Sequence, residues 1–343
     1  MKRLSVAVMG LDGCGAEFLE AIRADDQFDL VAVADANADL LRDVSERLHA
    51  DGFADYRSLI VEGAASGLDA LFVAVEPFES VDLMPLAAER RVAVFHKAPF
   101  ARDYGEAERL TARFHTVGCP MVIARNWQFE PVFQCLRRIG DWAGRIFSVI
   151  AVVRTDADGS VGWRGDSTRA GGGVLLNEAY QALDLTVALL GAPQRVYARG
   201  SMAIGPSDPK PYDTEDAALV VLDFPSARSA GVFAGRRSGM ADWQVTIFAA
   251  EATVVVGPRS LRIHRADGSP MEECRVASAN PWSCAISEFG GACRAGLREF
   301  ASSAREHLAT MAVIDAAYLS ARTGSPESPD RILDVGPLTG TAS

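Results

Sequence analysis

The sequence predicts an α/β Rossmann-type amino-terminal domain followed by an α+β domain built on a large, mostly antiparallel open sheet. Three observations carry this. Residues 1–122 alternate short apolar runs with helical periods, the grammar of a parallel sheet covered on both faces. A glycine-rich turn joins the first strand to the first helix. Beyond residue 122 strands follow one another with few helices between them, which implies antiparallel pairing. At 343 residues the chain exceeds the roughly 250–300 at which a single core stops growing, so two domains are expected, 1–122 and 123–343.

In order, Val6-Ala7-Val8-Met9 is the first buried strand, and Phe18, Leu19, Ala21 and Ile22 mark the apolar stripe of the first helix. A strand at 30–34 follows, then a helix at 56–65, a strand at 70–75, and a helix through Leu83 and Leu86. A strand at 92–95, a helix at 105–115 and a strand at 121–123 complete the first domain. The second domain offers strands at 146–153, 195–199, 217–222, 230–234, 245–249, 253–256 and 261–264. One strong helix spans 173–190, and two more lie at about 284–300 and 305–322. The tail 323–343, rich in Ser, Pro and Gly, is expected to be loosely held.

A hydrophobic content of 49% and a charged content of 23% are those of a globular protein with a full core. A net charge of −11 with scattered basic residues excludes nucleic acid as a partner, because phosphate binding needs clustered Lys and Arg. Cys14, Cys119, Cys135, Cys274, Cys284 and Cys293 show no paired or zinc-like spacing and read as buried thiols. Met1-Lys2-Arg3-Leu4 leads straight into the first strand, and no apolar run reaches membrane-spanning length, so a cytoplasmic protein without a membrane partner is expected. An open sheet uncovered on one face would expose apolar area, which predicts a homo-oligomer, a dimer or tetramer.

The turn Gly10-Leu11-Asp12-Gly13-Cys14-Gly15 lies between strand and helix, where a dinucleotide-binding turn places glycines at the first, third and sixth positions. Here the third position is Asp12. A carboxylate about 5 Å from a pyrophosphate charge is opposed by roughly 3 kcal/mol at an effective dielectric of about 20. Two arrangements would accommodate it: Asp12 caps the free N–H groups of the helix start, or Gly13 takes over the close approach. Asp35 ends the second strand 20 residues after Gly15, the spacing of an acid that accepts from an adenosine ribose. Ala36, Asn37 and Ala38 follow, with no arginine for a 2′-phosphate, so NAD is favoured over NADP.

This order of parts resembles the Gfo/Idh/MocA oxidoreductases, the family of glucose–fructose oxidoreductase and inositol dehydrogenase. The marks are strand 70–75 followed by Glu76-Pro77, the segment His96-Lys97-Ala98-Pro99, the segment Asn126-Trp127-Gln128-Phe129-Glu130-Pro131, and Gly171-Gly172-Gly173-Val174-Leu175-Leu176-Asn177. The resemblance implies that Lys97 is the lysine near nicotinamide and substrate. It implies a cofactor-binding set of Gly10, Leu11, Asp12, Gly13, Cys14, Gly15, Asp35, Val75, Pro77 and Lys97, with Asn126 and Trp163 lining the substrate pocket. Where the family carries an Asp, and a His or Tyr four positions later, this chain has Asn177 and Gln181, whose amides do not titrate. A continuous helix would put both on one face, where they could bind substrate. Tyr180, Glu178 and His96 are then candidates for the missing proton carrier, Tyr180 with Lys97 forming the expected catalytic pair. Relatives usually have Thr-Pro-Asn where this chain has Glu76, Pro77 and Phe78. The implied activity is hydride transfer between NAD and a secondary alcohol or ketone of a sugar, cyclitol or related small molecule, with no metal. The departures leave an alternative, a non-catalytic nucleotide- or sugar-binding sensor or partner subunit on the same fold.

Overall fold

The computed structural model describes residues 3–130, 132–133, 144–156, 162–202, 212–236, 238–276, 280, 282–296 and 302–335. It forms two compact units, the first of 1–101, 106–129 and 280–307, the second of 102–105, 130–279 and 308–343.

In the first unit β1 (Leu4–Met9), β2 (Phe28–Ala34), β3 (Asp51–Phe53), β4 (Ala70–Val73), β5 (Ala93–His96) and β6 (Met121–Ile123) build a sheet in the order β3-β2-β1-β4-β5-β6. Every neighbouring pair is parallel. The chain runs outward from β1 to β3 and then returns to β4, so a crevice opens at the carboxyl ends of β1 and β4. The helices are α1 (Cys14–Arg23), α2 (Ala38–Leu48), α3 (Tyr56–Ala65), α4 (Pro77–Ser80), α5 (Met84–Glu89), α6 (Tyr104–Val117) and α7 (Asn126–Phe129). Local chemistry sets their starts: Asn37 accepts from the Asp39 and Leu40 N–H groups at α2, and Asp55 from Ser58 N–H at α3. β3, only three residues long, carries too little apolar pattern to have been expected.

The core of this unit is aromatic. Phe72 and Phe95 stand 5.5 Å apart, Phe18 lies 5.6 Å from Phe95, and Phe289 lies 5.6 Å from Phe72. Trp282 closes on Phe18 edge-to-face at 4.9 Å. This packing places 280–307 in the first unit, whereas the sequence reading put everything beyond 122 in the second. No local pattern distinguishes a helix that packs on a distant sheet from one that packs on its own.

The second unit holds α8 (Ser167–Ala170), α9 (Val174–Asn177) and α10 (Tyr180–Leu190), while α11 (Ser283–Arg294) belongs to the first unit. α12 (Leu308–Thr323) and α13 (Pro329–Val335) complete the second. Its sheet orders β14 (Glu272–Arg275), β13 (Ser260–Arg265), β12 (Ala252–Val256), β11 (Asp242–Ala249), β7 (Ile146–Arg154), β10 (Arg228–Gly235), β9 (Ala217–Phe224) and β8 (Arg195–Ser201). All neighbours are antiparallel except β7 with β10. The buried face carries Val149, Ala151, Val196, Val220, Leu222, Val232 and Ile247.

Three expectations are corrected. The helix expected over 173–190 is broken into α9 and α10 at Glu178 and Ala179, where Ala179 N–H reaches back five residues to Val174 O. The tail is held as far as residue 335: Val196 and Glu327 exchange main-chain hydrogen bonds, and α13 follows. The cysteines are not uniformly buried thiols. Cys119 is buried, Cys14 and Cys293 are half-buried and Cys284 is exposed. Cys274 is disulfide-bonded, and Cys135 lies outside the described residues. No helix among the described residues is long and apolar enough to cross a membrane.

Candidate active site

The glycine turn sits over the crevice of the first unit, and its glycines are required for different reasons. Gly10 has φ +86°, and a methyl there would stand 2.8 Å from Val75 Cγ1. A methyl on Gly15 would stand 1.9 Å from Gly10 O, closer than any atoms pack. Gly13, with φ +46°, has no atom beyond its own chain neighbours within 4 Å of the position a Cβ would take, so the turn is open there. Leu11 buries its side chain, while its N–H donates to Asp35 Oδ2 at 2.8 Å. Asp35 Oδ1 accepts from Asn37 N–H at 2.8 Å. The carboxylate thus joins the tip of β2 to the turn and keeps lone pairs for a ribose hydroxyl.

Asp12 does not cap α1, which has no side-chain cap hydrogen bond, and the Asp12 side chain is exposed. The Asp12 carboxylate leaves the helix-start amides alone, Gly15 N–H donates to the Asp12 main-chain O at 2.8 Å, and the turn is open at Gly13. Burial pushes the Cys14 thiol up, against a smaller opposing pull from Lys97, so Cys14 adds no negative charge at the helix start. The cradle therefore fits a dinucleotide pyrophosphate, with the acids Asp12, Glu17 and Glu76 as adverse charges near its helix start and Lys97 opposing them.

Val75 and Pro77 are buried beside this turn. Glu76, between them, takes Lys97 Nζ at 2.6 Å, with the two side chains only 17% and 14% exposed. His96 lies inside the core at 0% exposure. Its Nδ1 lies 2.6 Å from Lys97 O and its Nε2 2.9 Å from Ser80 Oγ. A carbonyl only accepts, so Nδ1 carries the proton and Ser80 O–H donates to Nε2. Burial pushes His96 down to about 4. Both ring nitrogens are spent on structure, and His96 drops out as a proton carrier.

In the second unit Gly171, Gly172 and Gly173 turn tightly into α9. A methyl on Gly172 would stand 2.0 Å from Tyr318 Oη, and one on Gly173 2.3 Å from Glu215 O. Asn177 Nδ2 donates to Gly172 O at 2.9 Å and to Gly173 O at 3.1 Å. These two carbonyls set the amide orientation and leave Oδ1 as the acceptor available to a ligand. The break after α9 lies between Asn177 and half-buried Gln181, so the single continuous helix expected to carry both is interrupted there. Tyr180, expected to be catalytic, opens α10 and lies in the core at 1% exposure, one of the largest fully buried side chains. Trp163 is half-buried under the Arg164 guanidinium, 4.5 Å from the ring centroid. The Asn126 side chain lies outside the described residues. Sequence reasoning missed Glu76 as the partner of Lys97, and it missed Glu215 and Tyr318. The one available signal for Glu215 was the acidic run Asp213-Thr214-Glu215-Asp216 just ahead of an alternating strand. No cluster of His, Cys, Asp and Glu among the described residues could hold a metal ion.

A glycine turn open for a pyrophosphate at the switch point of a parallel sheet, with an acid on the second strand and a lysine after the fifth, defines a dinucleotide-dependent oxidoreductase. Residues 4–124 match the model of the oxidoreductase family with an NAD-binding Rossmann fold, and 140–255 match the GFO/IDH/MocA C-terminal domain. The chain belongs to the Gfo/Idh/MocA family of NAD-dependent oxidoreductases. It is similar to the D-apiose dehydrogenase of Paraburkholderia graminis, 26% identical over 94% of this chain and 89% of that one. It is also similar to the myo-inositol 2-dehydrogenase of Thermotoga maritima, 22% identical over 73% of this chain and 74% of that one. Its fold matches levoglucosan dehydrogenase in complex with NADH and levoglucosan, with a TM-score of 0.85 and 19% identity over 95% and 99% of the two chains.

Two predictions follow from this geometry. Because folding lowers the pKa of His96 from its ordinary 6.5 to about 4, the stability tied to neutral His96 is full above pH 6.5 and is lost as the pH falls toward 4. Asp315 and Glu130 are pushed by burial up to about 7, so they carry the opposite sign: their contribution is full at low pH and is lost as the pH rises through 7. Comparison with His96→Asn, which keeps a donor and an acceptor, isolates the histidine. Relative to the native protein, the variant should gain up to roughly 3 kcal/mol between pH 7 and pH 4 in urea unfolding; a constant difference would mean that His96 is not held neutral. Asn177→Asp restores the family's residue but sets an anionic oxygen against two carbonyls. A loss of about 1–3 kcal/mol at neutral pH is expected, with no gain in turnover; equal or greater stability would show that the amide is not oriented as described.

Proposed function

We propose that the protein moves hydride between NAD and a secondary alcohol or ketone of a sugar, cyclitol or related small molecule. The observation that carries this reading is the turn left open at Gly13, anchored by Asp35, with the Lys97–Glu76 pair near Cys14 at its helix start. The names of the apiose and inositol dehydrogenases support the substrate class. NAD, when bound, supplies the carbon that accepts or returns the hydride. Gly10, Leu11, Asp12, Gly13, Cys14 and Gly15 would hold its phosphates and Asp35 its adenosine ribose, with Val75, Pro77 and Lys97 on the nicotinamide side. Lys97, paired with Glu76, would donate a hydrogen bond from Nζ to the substrate oxygen and handle its proton. Asn177 would accept from a substrate hydroxyl through Oδ1, with Gln181, Asn126 and Trp163 as further substrate contacts. Asn177 and Gln181 position the substrate and transfer no proton, because amides do not titrate.

The assay is calorimetric NAD(H) binding together with the absorbance of reduced nicotinamide across a panel of sugars and polyols. Turnover should be found, and Lys97→Met should lower kcat by roughly 10²–10⁴-fold while NAD binding persists. Failure to bind NAD(H) would end the reading, and binding without turnover would favour the sensor alternative.

We also propose a homo-oligomer, a dimer or tetramer, formed through the uncovered face of the eight-stranded sheet. Val221 and Ile150 flank Gly231 across three adjacent strands, Leu219 pairs with Phe233, and the four side chains are 37–53% exposed. Light scattering should give more than one subunit for the native chain, and Leu219→Glu with Val221→Glu should lower that mass; a monomeric native chain would refute the proposal.

A further inference from the structure

The turn that carries Asn177 is held by a strap, residues 212–216, lying ahead of β9. Buried Arg236 pins the strap, Nε donating to Asp216 Oδ1 at 2.6 Å and Nη2 to Thr214 Oγ1 at 2.9 Å, with both charged side chains under 5% exposed. Tyr212 O–H donates to Asp216 Oδ2, and Thr214 O–H to Arg164 O. Asp213 takes the N–H and O–H of Ser167. Glu215, at the centre of the strap, serves three consecutive amides. Its Oε2 accepts from Gly173 N–H at 2.9 Å, its main-chain O from Val174 N–H at 3.2 Å, and its Oε1 from Leu175 N–H at 2.9 Å. Tyr318 O–H donates to Oε1 at 2.9 Å, and Tyr318 Oη accepts a further share of Gly173 N–H at 3.1 Å.

We propose that Glu215, with Tyr318, is a positioning residue for substrate: it fixes the peptide planes whose carbonyls aim the Asn177 amide, so that Oδ1 is presented at a set angle. The inference rests on the proposed role of Asn177 as a substrate contact. The three glycines have no side chains to cap the turn, and its amides need a partner from elsewhere in the chain. A carboxylate bonded to two amides and a phenol holds them more tightly than a neutral group. Burial and the Glu215 charge keep Tyr318 protonated, so its hydroxyl stays a donor. The same strap fixes the Trp163–Arg164 turn through Thr214, and one rigid segment therefore sets both substrate-facing turns of this unit.

The test compares full-length Glu215→Gln and Tyr318→Phe with the native protein. Gln keeps shape and one acceptor but turns the other into a donor facing an N–H; Phe removes only the hydroxyl. Hydrogen exchange at the Gly173 and Leu175 amides should quicken by about tenfold or more in Glu215→Gln. KM for whichever sugar or polyol the native enzyme turns over should rise by about tenfold, with calorimetric NAD affinity within about twofold of native. Glu215→Asp, which restores the charge, should recover part of the KM, and Tyr318→Phe should show the same effects in smaller degree. Unchanged exchange and KM in both variants would overturn the proposal. So would a loss of thermal stability with KM unchanged, since Glu215 would then serve stability alone. If the native protein turned over no sugar, the functional reading would fail while the exchange rates still decided whether Glu215 holds the turn.

Discussion

A carboxylate that reaches across the chain to hold the amides of a glycine-rich turn is the constraint on which both functional halves depend. Asp35 does this for the turn after β1, and Glu215 does it for the turn before Asn177. Glycine is required in each turn because another atom occupies the space a methyl would need. Such a turn cannot satisfy all of its own N–H groups, and a buried unpaired amide costs about 1–3 kcal/mol. A distant acid settles the amides and, in doing so, fixes the backbone. In the first unit the result is a cradle held at Leu11 and open at Gly13. In the second the result is an amide side chain with one oxygen left to offer.

The charges around Lys97 follow from the same economy of donors and acceptors. Glu76 and Lys97 are each mostly withdrawn from water, and a pair so placed stabilises a fold little, because desolvation offsets most of the attraction. Its value lies in direction: the ammonium is held at the carboxyl end of β5, where a parallel sheet exposes its ligand crevice. His96, the neighbouring residue, is buried, with its ring nitrogens taken by Lys97 O and Ser80. His96 ends β5 inside the core, and Lys97 follows at the end of the strand, where its side chain meets Glu76.

Two amides, Asn177 and Gln181, stand where the resemblance expects a titratable pair, with the break between α9 and α10 lying between them. Tyr180 is buried in the core of the second unit. The proposed reading therefore assigns proton handling to Lys97 in the first unit and hydrogen bonding to Asn177 and Gln181 in the second.

Much of the first unit was legible in the sequence: apolar runs at 6–9, 30–34, 70–75 and 92–95 hold the largely buried strands β1, β2, β4 and β5, and the glycine turn, Asp35 and Lys97 lie at their tips. The alternation at 217–222 and 245–249 likewise announced the antiparallel sheet. Such signals are short-range, since side-chain period reports which face is buried within a few residues of itself. Tertiary structure alone decided that Phe289 and Trp282 complete the core of the first unit, that Glu76 meets Lys97, and that Glu215 and Tyr318 clamp a turn 42 and 145 residues away from them in sequence. Nothing in the neighbourhood of Glu215 or Gly173 encodes their meeting. The amides need an acceptor, but which acid supplies it depends on where the sheet brings the chain back.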